Sequence, residues 1–80
     1  QEMVIVGYQL LEKNRAKDAA TVFELAIQVF PNAFNVYDSY GEVLMALGEN
    51  AKAIENYQKS IELNPDNENG KRKLEELGAN

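Results

Sequence analysis

Displaced by 34 places, the chain pairs with itself. Gly7 meets Gly41, Leu10 meets Leu44, Ala19 meets Ala53, Ile27 meets Ile61 and Pro31 meets Pro65. The same displacement sets Met3 against Tyr37, Val6 against Tyr40, Leu11 against Met45, Phe23 against Tyr57 and Ala26 against Ser60. The matches fall on small, aromatic and proline positions, where packing and backbone geometry leave least choice. A period of this size marks stacked supersecondary units that each bury an apolar face against the next.

Each period contains two helical stretches. In VYDSYGEVLMAL, Tyr37, Tyr40, Gly41 and Leu44 recur at spacings of three and four, one stripe of a helix. Gly48-Glu49-Asn50 then supplies a turn, with glycine just past a helix end. In AKAIENYQKSIEL, the residues Ala53, Ile54, Tyr57, Ile61 and Leu63 form the apolar side, and Asn64-Pro65-Asp66 stops the helix. The first period repeats the plan: a helix from about Glu2 to Lys13, a turn at Asn14-Arg15, a helix from about Ala16 to Phe30, and a stop at Pro31-Asn32.

The opening stretch MVIV contains three β-branched residues, Val4, Ile5 and Val6, and on propensity alone reads as a strand. Register decides otherwise, because these positions align with the helical VYDSYG of the second period. Gly7 and Gly41 are expected where two helix axes approach closely, with Ala19 and Ala53 as the facing small surface.

Gly41, Leu44, Ala53, Tyr57, Ser60 and Pro65, in this order within a 34-residue period, resemble the tetratricopeptide repeat (TPR). Gly7, Leu10, Ala19, Phe23, Ala26 and Pro31 fill the same slots in the earlier copy. The family's usual tryptophan is replaced by Met3 and Tyr37, and its usual later tyrosine by Leu10 and Leu44. The resemblance implies an all-α fold, a short right-handed α-solenoid in a single domain over residues 1–80. Repeat 1 would cover about 1–33 and repeat 2 about 34–67. A capping helix at about 67–77 would set Leu74 and Leu77 on the inside and leave Lys71, Arg72, Lys73, Glu75 and Glu76 wet, sealing the last repeat. Met3, Tyr37 and the slot residues named above are the expected repeat-packing set.

The resemblance also implies a concave groove lined by the first helix of each pair. Val4, Ile5, Tyr8, Leu11 and Glu12 would face it from repeat 1, Asp38, Ser39, Glu42 and Met45 from repeat 2, and Arg72, Lys73 and Glu76 from the cap. Chaperone-binding members of the family grip a terminal carboxylate with Lys and Asn at such places. Here Val4, Tyr8 and Ser39 occupy them, so that clamp is not expected. Two readings stand: Asp38, Glu42, Arg72 and Lys73 are solvated helix surface, or Tyr8, Leu11 and Met45 with Asp38 and Glu42 hold a segment carrying apolar and basic residues.

Within the first repeat, Met3, Val6, Gly7 and Leu10 are expected to face inward, leaving Val4, Ile5 and Tyr8 over. Burying three such side chains contributes roughly 5 kcal/mol, at about 1.5–3 kcal/mol each. Two repeats are also fewer than the three that usually make a stable array. A cover for the N-terminal helix is therefore expected, either an upstream domain of a parent protein or a second copy of the chain. The Gln start and the lack of a signal peptide suggest a piece excised from a longer protein. One phrase, Asn35 to Ser39 followed by Gly41-Glu42, is similar to C-terminal TPR tails of bacterial serine hydrolases, of β-lactamase-like and α/β-hydrolase kinds. That likeness implies an accessory module docking on its parent enzyme.

Charge and residue types exclude other classes. A net charge of −5 argues against nucleic acid and anionic membrane surfaces, whose phosphates it would repel. The chain lacks histidine, the usual general base near neutral pH, and cysteine, so no thiol nucleophile or disulfide exists. Ser39 and Ser60 have no base in any credible motif. NPDNENG places Asp66 and Glu68 among amides but lacks the spacing of a calcium loop. No catalytic residue, metal or cofactor is expected. The function expected is protein–protein interaction, with a structural or oligomerising role as the alternative.

Overall fold

A computed structural model describes residues 2–79. The two ends of the expected domain span, Gln1 and Asn80, lie outside the described residues. Five helices follow one another: α1 (Glu2–Glu12), α2 (Ala16–Val29), α3 (Phe34–Ala46), α4 (Asn50–Leu63) and α5 (Glu68–Glu76). Among the described residues there is no strand, and MVIV forms the first turn of α1. Its β-branched residues give up some rotamer freedom in a helix, a few tenths of a kcal/mol each. Packing of α1 on α2 outweighs that.

The fold is all-α: two helical pairs and a fifth helix stacked as a small α-solenoid. α1 packs on α2, α2 on α3, α3 on α4 and α4 on α5. The core runs through these layers. Ala19, Phe23, Ala26, Val36, Val43, Ala53, Tyr57 and Ser60 are fully buried, and Leu74 of α5 closes the far end.

The turns inside the pairs are built alike. Past α1, Asn14 takes a left-handed φ of 61°, and past α3, Gly48 takes 77°. In each case the next amide reaches back to the same kind of carbonyl: Arg15 N–H donates to Leu10 O and Glu49 N–H to Leu44 O, both at 2.9 Å. The preceding amide, of Asn14 or Gly48, donates to Leu11 O or Met45 O. This is the six-to-one and five-to-two closure of a Schellman cap. Gly78 repeats it after α5, with φ 77° and Ala79 N–H donating to Leu74 O.

The two repeat glycines face aromatic rings rather than the alanines expected opposite them. A Cβ on Gly41 would lie 2.8 Å from Cε2 of Tyr57, and one on Gly7 would run into the ring of Phe23. Ala19 and Ala53 are fully buried alongside. Tyrosine hydroxyls then tie the layers together. Tyr37 Oη donates to Pro31 O at 2.7 Å, fixing the start of α3 to the inter-repeat turn. Tyr40 Oη donates to Glu24 of α2 at 2.9 Å, and Ser60 Oγ of α4 donates to Phe34 O at 2.9 Å.

The inward and outward sides of α1 differ from expectation at three positions, one of them Tyr8, expected to be left over but half-buried with its ring against Phe23. Val6 is 44% exposed, although it was expected to face inward. Its counterpart Tyr40 is buried because α2 covers it; no described element stands in that place for Val6. Val4, expected to be left over, instead packs partly buried against the core.

Candidate functional site

The first helices of the pairs carry a face on which the expected groove residues can be located one by one. On α1, Val4, Tyr8 and Leu11 are half-buried, while Ile5 is 55% exposed. On α3, Asp38, Glu42 and Met45 are half-buried and Ser39 is buried. On α5, Arg72 is exposed and Lys73 half-buried. Of the packing set, Gly7, Ala19, Phe23, Ala26, Tyr37, Gly41, Leu44, Ala53, Tyr57 and Ser60 are buried. Met3 and Leu10 are half-buried and the turn prolines Pro31 and Pro65 exposed.

Tyr8 joins the two repeats. Its ring stands edge-on to Phe23, with centroids 6.1 Å apart and planes at 78°, an arrangement that matches positive ring edge to negative ring face. Its hydroxyl reaches Glu42 Oε1 at 3.4 Å across the 34-residue period. Burial raises the Tyr8 pKa, the Ser39 hydroxyl works against that, and the charges of Glu42 and Asp38 add to it. Ser39 is itself buried, at 5% exposure, and so is not free to meet a ligand.

Tyr57 comes up from α4 beneath the same face. Its hydroxyl points at Met45 Sδ, 3.8 Å away. Burial pushes its pKa up strongly, and Asp38, Glu42, Tyr8 and Glu76 push in the same direction. Two tyrosine hydroxyls therefore sit in the field of the same carboxylates. The surface they underlie is negative, and half-buried apolar atoms of Leu11 and Met45 border it. Such a surface can accept a cationic or hydrogen-bond-donating group beside an apolar one.

Asp38 behaves differently from the free carboxylate expected there. Asn67 Nδ2 donates to one of its oxygens at 2.7 Å and Asn69 Nδ2 to the other at 2.8 Å. The same Asn67 amide donates to Ser60 Oγ at 2.8 Å, and Asn67 Oδ1 accepts from Gly70 N–H at 3.2 Å. Asn67 is thus the N-cap of α5 and a polar bolt linking α3, α4 and α5. Arg72 leans on Asn69 Oδ1 at 3.3 Å, and Lys73 pairs with Glu76 at 3.9 Å, so both basic groups have local partners.

Asn67, Asn69 and Tyr57 also belong to this face, beyond the residues that the repeat pattern points to. Only Asn67 had a local signal, an amide residue immediately before a helical pattern. Among the described residues no three potential ligand side chains gather to hold a metal ion, and no helix is long and apolar enough to cross a membrane.

The sequence model of the TPR repeat matches residues 41–74, from the close-approach glycine of α3 through α4 to Leu74 of α5. No curated protein matches the chain. Repeats of this kind generally mediate protein–protein interaction, and their helical fold is typically non-catalytic. With the paired-helix geometry, the match at residues 41–74 supports the TPR family for this chain.

Proposed function

We propose that the chain is a non-catalytic protein-interaction module whose concave face holds a polypeptide segment carrying apolar and basic side chains. One observation carries this reading. Tyr8 and Glu42, from successive repeats, come together over a surface made negative by Glu42 and Asp38 and bordered by Leu11 and Met45. A basic side chain gains from that field, and an apolar neighbour gains from Leu11 and Met45. Val4 is half-buried and Ser39 buried, whereas Arg72 and Lys73 are engaged with Asn69 and Glu76.

The other reading, an accessory tail docking on a serine hydrolase, rests on the phrase from Asn35 to Glu42. Packing accounts for that phrase: Val36, Tyr37, Ser39 and Gly41 are buried, and Asp38 is bound by two asparagines. The peptide reading is therefore preferred.

The test is a titration of the isotopically labelled chain with a short peptide alternating leucine and arginine, followed by backbone amide shifts. Shifts centred on Tyr8, Leu11, Glu42 and Met45, reduced in a Glu42→Gln variant and absent with a leucine–glutamate peptide, are expected. Shifts confined to α2 and α4, or equal with both peptides, would overturn the proposal.

A further inference from the structure

The five large apolar residues exposed among the described ones all belong to the first repeat: Ile5, Val6, Leu25, Val29 and Phe30. The second repeat has Ser39, Tyr40, Lys59, Leu63 and Asn64 at the matching places, so the asymmetry is written into the residues. Where several exposed apolar side chains share one face, that face usually has a use.

Repeat equivalence gives the patch its geometry. On α3 the stripe Val36, Tyr40 and Val43, continued by Leu47 just past the helix, has its first three residues buried, and Tyr40 meets Glu24 of α2. The matching stripe of α1 is Glu2, Val6 and Gln9, continued by Lys13 just past the helix, all exposed. On α2, Glu24 turns towards α3 to meet Tyr40. Leu25 and Val29 follow it about 100° and 140° further round the helix, on the side away from α3. Val6, Leu25 and Val29 thus share the outer face of the first pair.

The stripe on α1 is complementary to itself. An antiparallel copy laid against it sets Glu2 over Lys13 and Val6 over Gln9, then the same pairs in reverse. The opposite ends of the stripe carry opposite charges, and neither has an ion-pair partner among the described residues. We infer that a second copy of this chain covers the outer face of the first helical pair, with α1 antiparallel to its counterpart about a two-fold axis. This is an isologous contact, in which each residue of the stripe meets its reciprocal partner. It leaves the concave face open and stands independently of the peptide proposal.

Sedimentation equilibrium over a wide concentration range tests it, with helicity checked for each variant. The chain is expected to pass from monomer to dimer as concentration rises. Glu2→Lys and Lys13→Glu, each turning the two symmetry-related attractions into repulsions, should weaken the dimer by about tenfold. Glu2→Lys combined with Lys13→Glu keeps the net charge at −5 and should restore it. Leu25→Glu, at an exposed position, should abolish dimerisation while preserving the helical spectrum. A chain that stays monomeric at the highest concentration overturns the inference and leaves the face to another protein. A double variant as weak as either single one overturns it as well, as do open-ended aggregates indifferent to all three substitutions.

Discussion

Gly41 lies so close to the ring of Tyr57 that a Cβ on it would stand 2.8 Å from Cε2. Tyr57 is wholly buried and cannot swing aside. Gly41→Ala must therefore push α3 away from α4. Overpacking of this kind costs about 1–3 kcal/mol, against which the better helix propensity of alanine returns about 1 kcal/mol. A net loss on the order of 1 kcal/mol is expected as a lower urea midpoint with unchanged slope. An unchanged or raised midpoint would show that the two helices do not touch at this point.

Asn67 serves three elements at once, so removing it should be felt beyond its own helix. Asn67→Ala deletes an N-cap, worth about 0.5–2 kcal/mol, and strips donors from Asp38 and Ser60. Ser60 keeps its bond to Phe34 O and Asp38 its bond from Asn69, so the lost hydrogen bonds add about 1 kcal/mol. Hydrogen exchange should show α5 amides losing protection first, with α1 and α2 little changed. Uniform loss of protection, or none, would contradict the bolt described here.

Alkaline unfolding should follow the tyrosines. Burial pushes the Tyr40 pKa up to about 12, with Glu24 adding to the shift, and raises Tyr57 still further. A group whose pKa is higher in the folded state stabilises the fold below its unfolded value, about 10 for tyrosine. That contribution fades as pH climbs from about 10 towards 12, since ionisation favours the unfolded chain. Tyrosinate absorbance and helical circular dichroism should change together in this window. Tyr40→Phe, which cannot ionise, should weaken the dependence. Full tyrosine ionisation near pH 10 with the helices intact would contradict the burial of these side chains.

The turn at Asn14 offers a backbone test. Its φ of 61° is tolerated by asparagine and unfavourable for residues with an ordinary Cβ. Asn14→Ala should cost about 1 kcal/mol, whereas Asn14→Gly, copying Gly48, should be neutral within a few tenths. Equal effects of the two substitutions on the thermal midpoint would contradict the left-handed turn.

How much of this could be read beforehand depends on where each constraint originates. Gly7 with Gly41 and Phe23 with Tyr57 stood out because each pair occupies equivalent surroundings inside its own repeat. The helical state of MVIV was legible for the same reason, since register outweighs local propensity. Val6 was not, because the fate of that position is set by whatever packs on the previous layer. Tyr40 has α2 over it and Val6 has no described element. Asp38 was misjudged as a free groove carboxylate because its partners Asn67 and Asn69 lie 29 and 31 residues away and follow no period. Ser39 falls on the groove side by helical geometry, yet it is buried where the helices pack.

Through-space proton couplings between the glycines and the rings test the stacking of equivalent helical pairs most directly. The structure predicts strong cross-peaks from the Gly7 α-protons to the Phe23 ring and from the Gly41 α-protons to the Tyr57 ring. Both pairs of α-protons should be shifted by the ring currents, and residues 3–11 should show sequential amide contacts of helix. Strand-type contacts over residues 3–11, or a ring contact at one glycine and not the other, would contradict it.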